Sequence, residues 1–356
     1  MIVVSNASGT ASDHSSKPEG IGSPSALVCG EYHSFVRAPS YFLLICSTFA
    51  WAQQPPAKKA TPQYRSKISI FDLRDHSTKT IFQADVVWEA PNWSADGKYL
   101  LANSGGKLYR VPVDGGPPEV VNIDASYRLN NDHAPSPDGK RIAFSASSPN
   151  SRGSQVYVAN ADGSNLRLIV SETPSYFHGW SPDGKYLAYV HQHPGPNGGP
   201  ANYDIFRIPA AGGEAQQLDS NPGYDDGPDY SPDGKWIYFN TDRSGGWDVW
   251  RIPAEGAGAN DQKAERVTSD ELEDWFPHPS PDGKWLVFLS FPKGTSNHNE
   301  KLPGTQLRMM AMPGTKVPDK PAIQVLTTIF GGQGTINVNS WAPDSQRFAF
   351  VIYEPL

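Results

Sequence analysis

Three histidines and a set of carboxylates recur at nearly one register along this chain. His133 follows Asn131 and Asp132 in "NNDHAP", His178 stands in "SYFHGW", and His278 closes "EDWFPHP". The segment "YDDGPDY" carries Asp225, Asp226 and Asp229, and "GGQGTINVNSW" supplies Gln333 and Asn337. Neutral imidazoles and carboxamides converging from separate segments can hold a divalent cation such as Mn, Zn or Ca, with His133, His178, His278 and Gln333 as candidate ligands. His178 and Asp226 are instead the candidates for a general acid and base. A third use is plain ligand binding, in which Asn131, Asp132, Asp225, Asp229 and Asn337 supply hydrogen bonds. Tyr176, Phe177, Trp275 and Phe276 lie beside them and offer faces on which a sugar ring can stack. Against all three stands a bland role, since polar groups at strand entries also satisfy backbone donors of neighbouring strands. The "HQH" at His191–His193 sits in a Pro/Gly-rich loop, where solvated histidines are the expectation.

Every one of these segments runs into a near-constant turn. Its Asp falls at Asp96, Asp138, Asp183, Asp233, Asp282 and Asp344, giving spacings of 42, 45, 50, 49 and 62 residues. A repeat near 40–50 residues marks a propeller with a four-stranded sheet per blade. In one copy, Pro232 presets φ, Asp233 bonds its own backbone and Gly234 accepts a positive φ, so the turn is structural. The last copy, "APDSQ", has Ser345 in place of glycine, expected to cost on the order of 1 kcal/mol. After the turn, "KWIYFNTD" alternates polar and apolar residues as a strand does, and "WDVWRIP" and "AERVT" complete a blade. Residues 337–354 supply two strands of a unit and residues 67–83 the other two. A composite blade from both ends thus closes a six-bladed, all-β ring over 66–356. Trp93, Trp180, Tyr230 and Trp341, just before the turns, are expected to pack between blades. Within a blade the strand entries and the long second loops share the face opposite the turns, so heads and loops rim one mouth of the channel, where sites are commonly grafted.

The phrases "WSPDGKYLAYV", "YSPDGKWIYFN" and "PSPDGKWLVFL", followed by strands such as "DVWRIP", resemble the WD40-like β-propeller repeats of the TolB family. More distantly they are similar to the propellers of oligogalacturonate lyases, whose catalytic metal is held by His and Gln side chains. The resemblance implies an exported six-bladed propeller. It does not extend to the additional N-terminal α/β domain of TolB, for which this sequence is expected to have no room. Related repeats also cap prolyl oligopeptidases, but no G-x-S-x-G motif is present.

Composition bounds the function. The chain has 356 residues, a net charge of -7, 38 % hydrophobic residues, and 33 each of Gly and Pro. With mild acidity and no basic run, nucleic acid is not an expected partner. Residues 1–52 read as an unstructured leader ending in a secretory signal, with an apolar run over 41–49 and small residues at Ala50 and Ala52, where cleavage is expected. That run is too short to span a bilayer. The leader is long for a signal, and translation from a start near Val36 would shorten it to an ordinary length. Residues 53–65 read as a linker. Both cysteines, Cys29 and Cys46, precede the cleavage, so thiol catalysis and disulfides are not expected of the mature chain. The expectation is a periplasmic or secreted scaffold that holds an envelope protein, peptide or glycan at its His/Asp mouth. The alternative is a metal-assisted polysaccharide lyase or hydrolase. Few cations stand near the mouth (Arg128, Arg152, Arg243, Lys293 and Lys301), which speaks against a uronate substrate.

Overall fold

A computed structural model of the chain describes residues 63–151, 153–195, 199, 201–315 and 322–356. The expected leader, signal and most of the linker lie outside the described residues, as does Arg152.

The turn that repeats in the sequence repeats in three dimensions. Ser94, Ser136, Ser181, Ser231 and Ser280 each donate their hydroxyl to the turn's Asp, at 2.7, 2.5, 2.7, 2.6 and 2.7 Å. The same Asp accepts the backbone N–H two residues on, at 3.1 Å in each case. The following glycines hold φ between 67° and 72°, the left-handed region that only glycine enters freely. Ser345 also sits there, at φ 57°, and its hydroxyl accepts the Asp282 N–H at 3.0 Å. That bond returns part of the expected cost.

Each turn links the first two strands of an antiparallel blade. The first blade comprises β3 (Glu89–Trp93), β4 (Tyr99–Ser104), β5 (Lys107–Pro112) and β6 (Glu119–Val120). The second comprises β7 (Arg128–Pro135), β8 (Arg141–Ser147), β9 (Gln155–Asn160) and β10 (Arg167–Val170). Next come β11 (Ser175–Trp180), β12 (Tyr186–His193), β13 (Asn202–Pro209) and β14 (Gln216–Gln217). The fourth has β15 (Asp225–Tyr230), β16 (Trp236–Thr241), β17 (Asp248–Pro253) and β18 (Glu265–Arg266). The fifth has β19 (Glu273–Pro279), β20 (Trp285–Phe291), β21 (Leu302–Ala311) and β22 (Ile323–Gly331). The sixth blade is composite. Its sheet runs β2 (Ser77–Ala84), β1 (Tyr64–Asp72), β23 (Arg347–Pro355), and a bridge from Trp341 to Phe348 adds the innermost segment. The protein is thus a six-bladed β-propeller closed by strands from both ends of the ring.

Burial follows the blade interfaces. Hydrophobic clusters form between each pair of neighbouring blades, for example Ile68, Trp93 and Val351 at the sixth–first interface and Ala188, Tyr230 and Ile237 at the third–fourth. Trp93, Trp180, Tyr230 and Trp341 all belong to such clusters. At about 25 cal/mol per Å² of buried apolar surface, these wedges supply the main favourable term. The innermost strands are the most buried, and β15 has no exposed residue, so any polar group there must be paired or must face the channel.

Candidate functional site

The inner strands are not regular. In β11 the register slips between Phe177 and Gly179, leaving His178 without a cross-strand partner. One extra residue likewise enters between Asp226 and Asp229 and between Trp275 and His278, and two enter between Leu129 and His133. Such a β-bulge re-aims the extra residue and bends the strand. Gly227 turns this corner at φ 64° and Phe276 at φ 53°. A Cβ on Gly227 would approach Phe276 Cδ1 to 2.7 Å, so only glycine fits there.

The bulges decide which side chains reach the channel. His178 is a bulge residue, and its Nε2 meets Asp226 Oδ1 at 3.0 Å. Asp132, in the slipped segment of β7, accepts Asn337 Nδ2 at 2.5 Å and Asn130 Nδ2 at 2.6 Å. These groups form the floor of a cavity of about 400 Å³ at the mouth opposite the turns. Asn131, Tyr176, Asp226, Trp275 and Asn337 line it, each standing five residues before the Ser or Ala that opens its turn. Gln333 joins them from a short 3-10 turn, Gln333–Thr335.

Four candidates point elsewhere. His133 is paired in the ladder and wholly buried, its Nδ1 2.7 Å from Asn92 Oδ1. Burial alone pushes its pKa down to about 3, so it stays neutral. His278, also ladder-paired, bonds the Ile336 carbonyl through Nε2 at 2.6 Å and Asp229 Oδ2 through Nδ1 at 3.1 Å. It stands two residues before its turn's Ser, whereas His133 and His178 stand three before theirs. Asp229 lines a second cavity of about 370 Å³ on the turn face, walled by Trp93, Trp180, Trp341 and prolines. Asp225 does not line the first cavity: it is buried, and Arg243 bonds both it, at 2.9 Å, and Asp219, at 2.6 Å. The four candidate metal ligands therefore do not gather: His178 and Gln333 line the mouth cavity, while His133 and His278 are held by other partners.

The group that does bring carboxylates together is Asp204, Asp219 and Asp225, all buried, with one oxygen of each within 4.8 Å of the others. Three carboxylates at that separation are a donor set suited to a hard cation, but Arg243 already bonds two of them. Burial, and then the Asp219 charge, raise the Asp225 pKa well above its usual value against the pull of Arg243. The neighbouring "HQH" histidines are also engaged, His193 with Asp204 at 2.8 Å and His191 with Ser175 at 3.0 Å.

Electrostatics on the cavity floor are tightly linked. Burial raises the Asp132 pKa to about 6, opposed by His178 and reinforced by Asp226. For His178, burial favours the neutral ring, but the bond to Asp226 and the Asp226 and Asp132 charges outweigh it, and its pKa is raised. His178 Nδ1 is buried without a well-formed hydrogen bond among the described residues.

Several lining residues were not singled out from the sequence: Asn130, Tyr203, Tyr224, Trp247, and the loop residues Ser296, Asn297, His298 and Asn299. Their signal was large aromatics in Gly- and Ser-rich loops on the mouth face. Phe177 and Phe276, offered as stacking faces, are instead fully buried in the core. Two of the mouth cations are also engaged: Lys301 with Glu89 at 3.2 Å and Lys293 with Glu271 at 3.7 Å.

With this geometry in hand, comparison with known proteins is decisive for the family. The TolB beta propeller domain family, PD40, matches residues 180–324. An uncharacterised protein of Agrobacterium fabrum, Atu1656, is 40 % identical over 293 residues, spanning 82 % of this chain and 94 % of that one. The solved structure of a TolB candidate from Agrobacterium tumefaciens is 39 % identical, covers 82 % of this chain and 99 % of its own, and superposes with a TM-score of 0.74. The chain belongs to the TolB-like β-propeller family. Similarity to TolB proteins by name is narrower: the Tol-Pal system protein TolB of Bordetella pertussis is 30 % identical over 153 residues, 30 % of this chain and 34 % of that protein. TolB from Acinetobacter baumannii shares the fold, with a TM-score of 0.55 at 18 % identity, over 75 % of this chain and 64 % of that one. At the coarse level, membership supports a binding or scaffold role. No helix among the described residues is long and apolar enough to cross a membrane.

Proposed function

We propose that this TolB-like propeller is an exported binding scaffold of the bacterial envelope, holding a peptide segment of a partner protein in the mouth cavity. The observation that carries this reading is the cavity itself. It is about 400 Å³, within the range of small-ligand sites, and it pairs an aromatic wall with a hydrogen-bonded floor on rigid inner strands. The acid–base pair His178–Asp226 is present, but among the described residues the candidate metal ligands His133 and His278 are held by other partners, which favours binding over metal-assisted lyase chemistry. The Tol-Pal name of the Bordetella relative agrees with an envelope partner.

The test is a titration of the full chain with short peptides and with neutral oligosaccharides, read by tryptophan emission and calorimetry. Peptide binding that is lost in Trp275→Ala supports the reading. Binding that survives Trp275→Ala and Tyr176→Ala refutes it. Export is tested by cell fractionation with N-terminal sequencing: a mature terminus at Gln53 supports it, and an intact leader in the cytoplasm counts against it.

A further inference from the structure

Rings line one side of the mouth in an unbroken arc. Tyr176 and Tyr203 have centroids 6.0 Å apart, Tyr203 and Tyr224 4.8 Å, Tyr224 and Trp247 5.4 Å, and Trp247 and Trp275 4.2 Å. His298 stacks on Trp275 at 4.5 Å. Below this arc lie the Asp132 and Asp226 carboxylates. Among the described residues that line the cavity there is no lysine or arginine.

Of the cations near the mouth, Arg128 lies against Gly106 and others are paired with carboxylates outside the lining. Arg243 serves Asp219 and Asp225, Arg308 serves Asp270 and Asp274, and Lys301 serves Glu89. Among the described lining residues His178 stands against two aspartates and His298 is paired with Glu273, so the floor carboxylates outnumber the imidazole that faces them. Asn130 and Asn337 already donate to Asp132, and among the described residues no donor meets Asp226 Oδ2. The lining thus sets carboxylates, with no lysine or arginine beside them, against a wall of aromatic rings, alongside the amides of Asn131, Asn299 and Gln333. The three tyrosines do not compete, since burial raises each phenol pKa and keeps it neutral.

We infer that the mouth recognises an organic cation, an ammonium or guanidinium group, held by cation–π contact with Tyr203, Tyr224 and Trp247 and by a charge-assisted hydrogen bond to Asp226. This rests on the reading of the cavity as the ligand site and names the chemistry it selects. A lysine or arginine side chain of a partner and a free small amine present the same group. A neutral sugar brings hydroxyls but leaves the floor's charge unmet, and an acidic ligand is repelled.

The experiment titrates the full chain at pH 7.5 with capped tripeptides centred on lysine, arginine, ε-acetyl-lysine or glutamate, with butylamine, and with a neutral oligosaccharide. The expected result is binding of the lysine and arginine peptides, weakened at least tenfold by ε-acetylation and by Asp226→Asn, with unchanged melting of the variant. If that variant fails to fold, Tyr203→Leu replaces it, with the same loss expected. Butylamine binding as tightly as the peptides assigns a small amine as the source, and tighter peptide binding assigns a protein partner; both support the inference. Equal binding of the acetylated or glutamate peptide or the oligosaccharide, lost in Trp275→Ala, overturns the cation assignment while leaving the cavity as the ligand site. Basic-peptide binding insensitive to Asp226→Asn and Tyr203→Leu overturns it too, as does the absence of binding by any basic probe. Failure of the cavity reading itself shows separately, as binding of every ligand unchanged in Trp275→Ala.

Discussion

Replacing Arg243 by methionine tests the logic of the buried charges most sharply. Its guanidinium lies between Asp219 and Asp225, whose side chains are both 0 % exposed, and is itself only 5 % exposed. Asp261 lies 3.8 Å from its other nitrogen. Methionine keeps most of the volume and removes the charge, so the loss is electrostatic. Breaking a buried pair typically costs about 3–5 kcal/mol, because a charge is left uncompensated. For a domain of this size that corresponds to a fall in Tm of roughly 6–10 °C, at about 2 °C per kcal/mol. The penalty must depend on pH. Asp225 already has a raised pKa, so the folded state holds a proton that the unfolded chain releases, and stability falls as pH rises from the unfolded pKa through the folded one. Losing Arg243 raises that folded pKa further. The variant is therefore expected to recover much of its stability at pH 5 and to be weakest at pH 8, measured by urea and thermal melts at both. With the arginine gone, Asp204, Asp219 and Asp225 become the donor set for a cation, so millimolar Ca is expected to raise the variant's Tm and leave the parent unchanged. A loss below about 1 kcal/mol, or one equal at pH 5 and pH 8, refutes the reasoning that uncompensated carboxylates carry the cost.

Other expectations follow from the same geometry. Asp132→Asn removes a carboxylate whose pKa is raised to about 6; because a raised carboxylate destabilises the fold as pH climbs through that value, the variant should gain stability relative to the parent at pH 8 and lose that advantage at pH 5, as seen in paired melts. Ser345→Gly relieves a left-handed backbone but gives up the bond to the Asp282 N–H, two effects on the order of 1 kcal/mol each, so denaturant midpoints should barely move, whereas Ser345→Ala keeps the strain, loses the bond and should fall by about 1–2 kcal/mol. Gly334→Ala would place a Cβ 2.6 Å from Glu89 Cγ and the Tyr353 hydroxyl, an overpacking expected to cost about 1–3 kcal/mol in a urea titration.

What the sequence made legible was whatever is local. The turn's hydrogen bonds lie within five residues of one another, so the motif carries its own geometry, and its spacing carries the blades. The composite blade followed from counting two strands in residues 337–354 and the two that complete them in residues 67–83. Register was different. Whether a histidine joins a ladder or falls in a bulge depends on how its strand pairs with the next, and no neighbouring residue reports that. His133 and His178 share a place relative to the turn, yet the first is paired opposite Phe144 and the second has no cross-strand partner. The aromatic wall was harder still, since Tyr203, Trp247 and His298 come from three different blades and meet only when the ring forms.

The closing blade sets an order of events on the folding chain. β1 and β23 pair over nine positions, from Tyr64 with Pro355 to Asp72 with Arg347, and Lys67 and Glu354 form an ion pair across the join. Partners so distant in sequence meet only after nearly all the chain has been made, and loops of that span close slowly. The ring is therefore a clasp fastened last: blades along the chain can form while it is still being synthesised or moved, but the channel, and with it the mouth, exists only once the final strand finds the first. A truncation that removes β23 would then leave most of the blades intact and abolish the site.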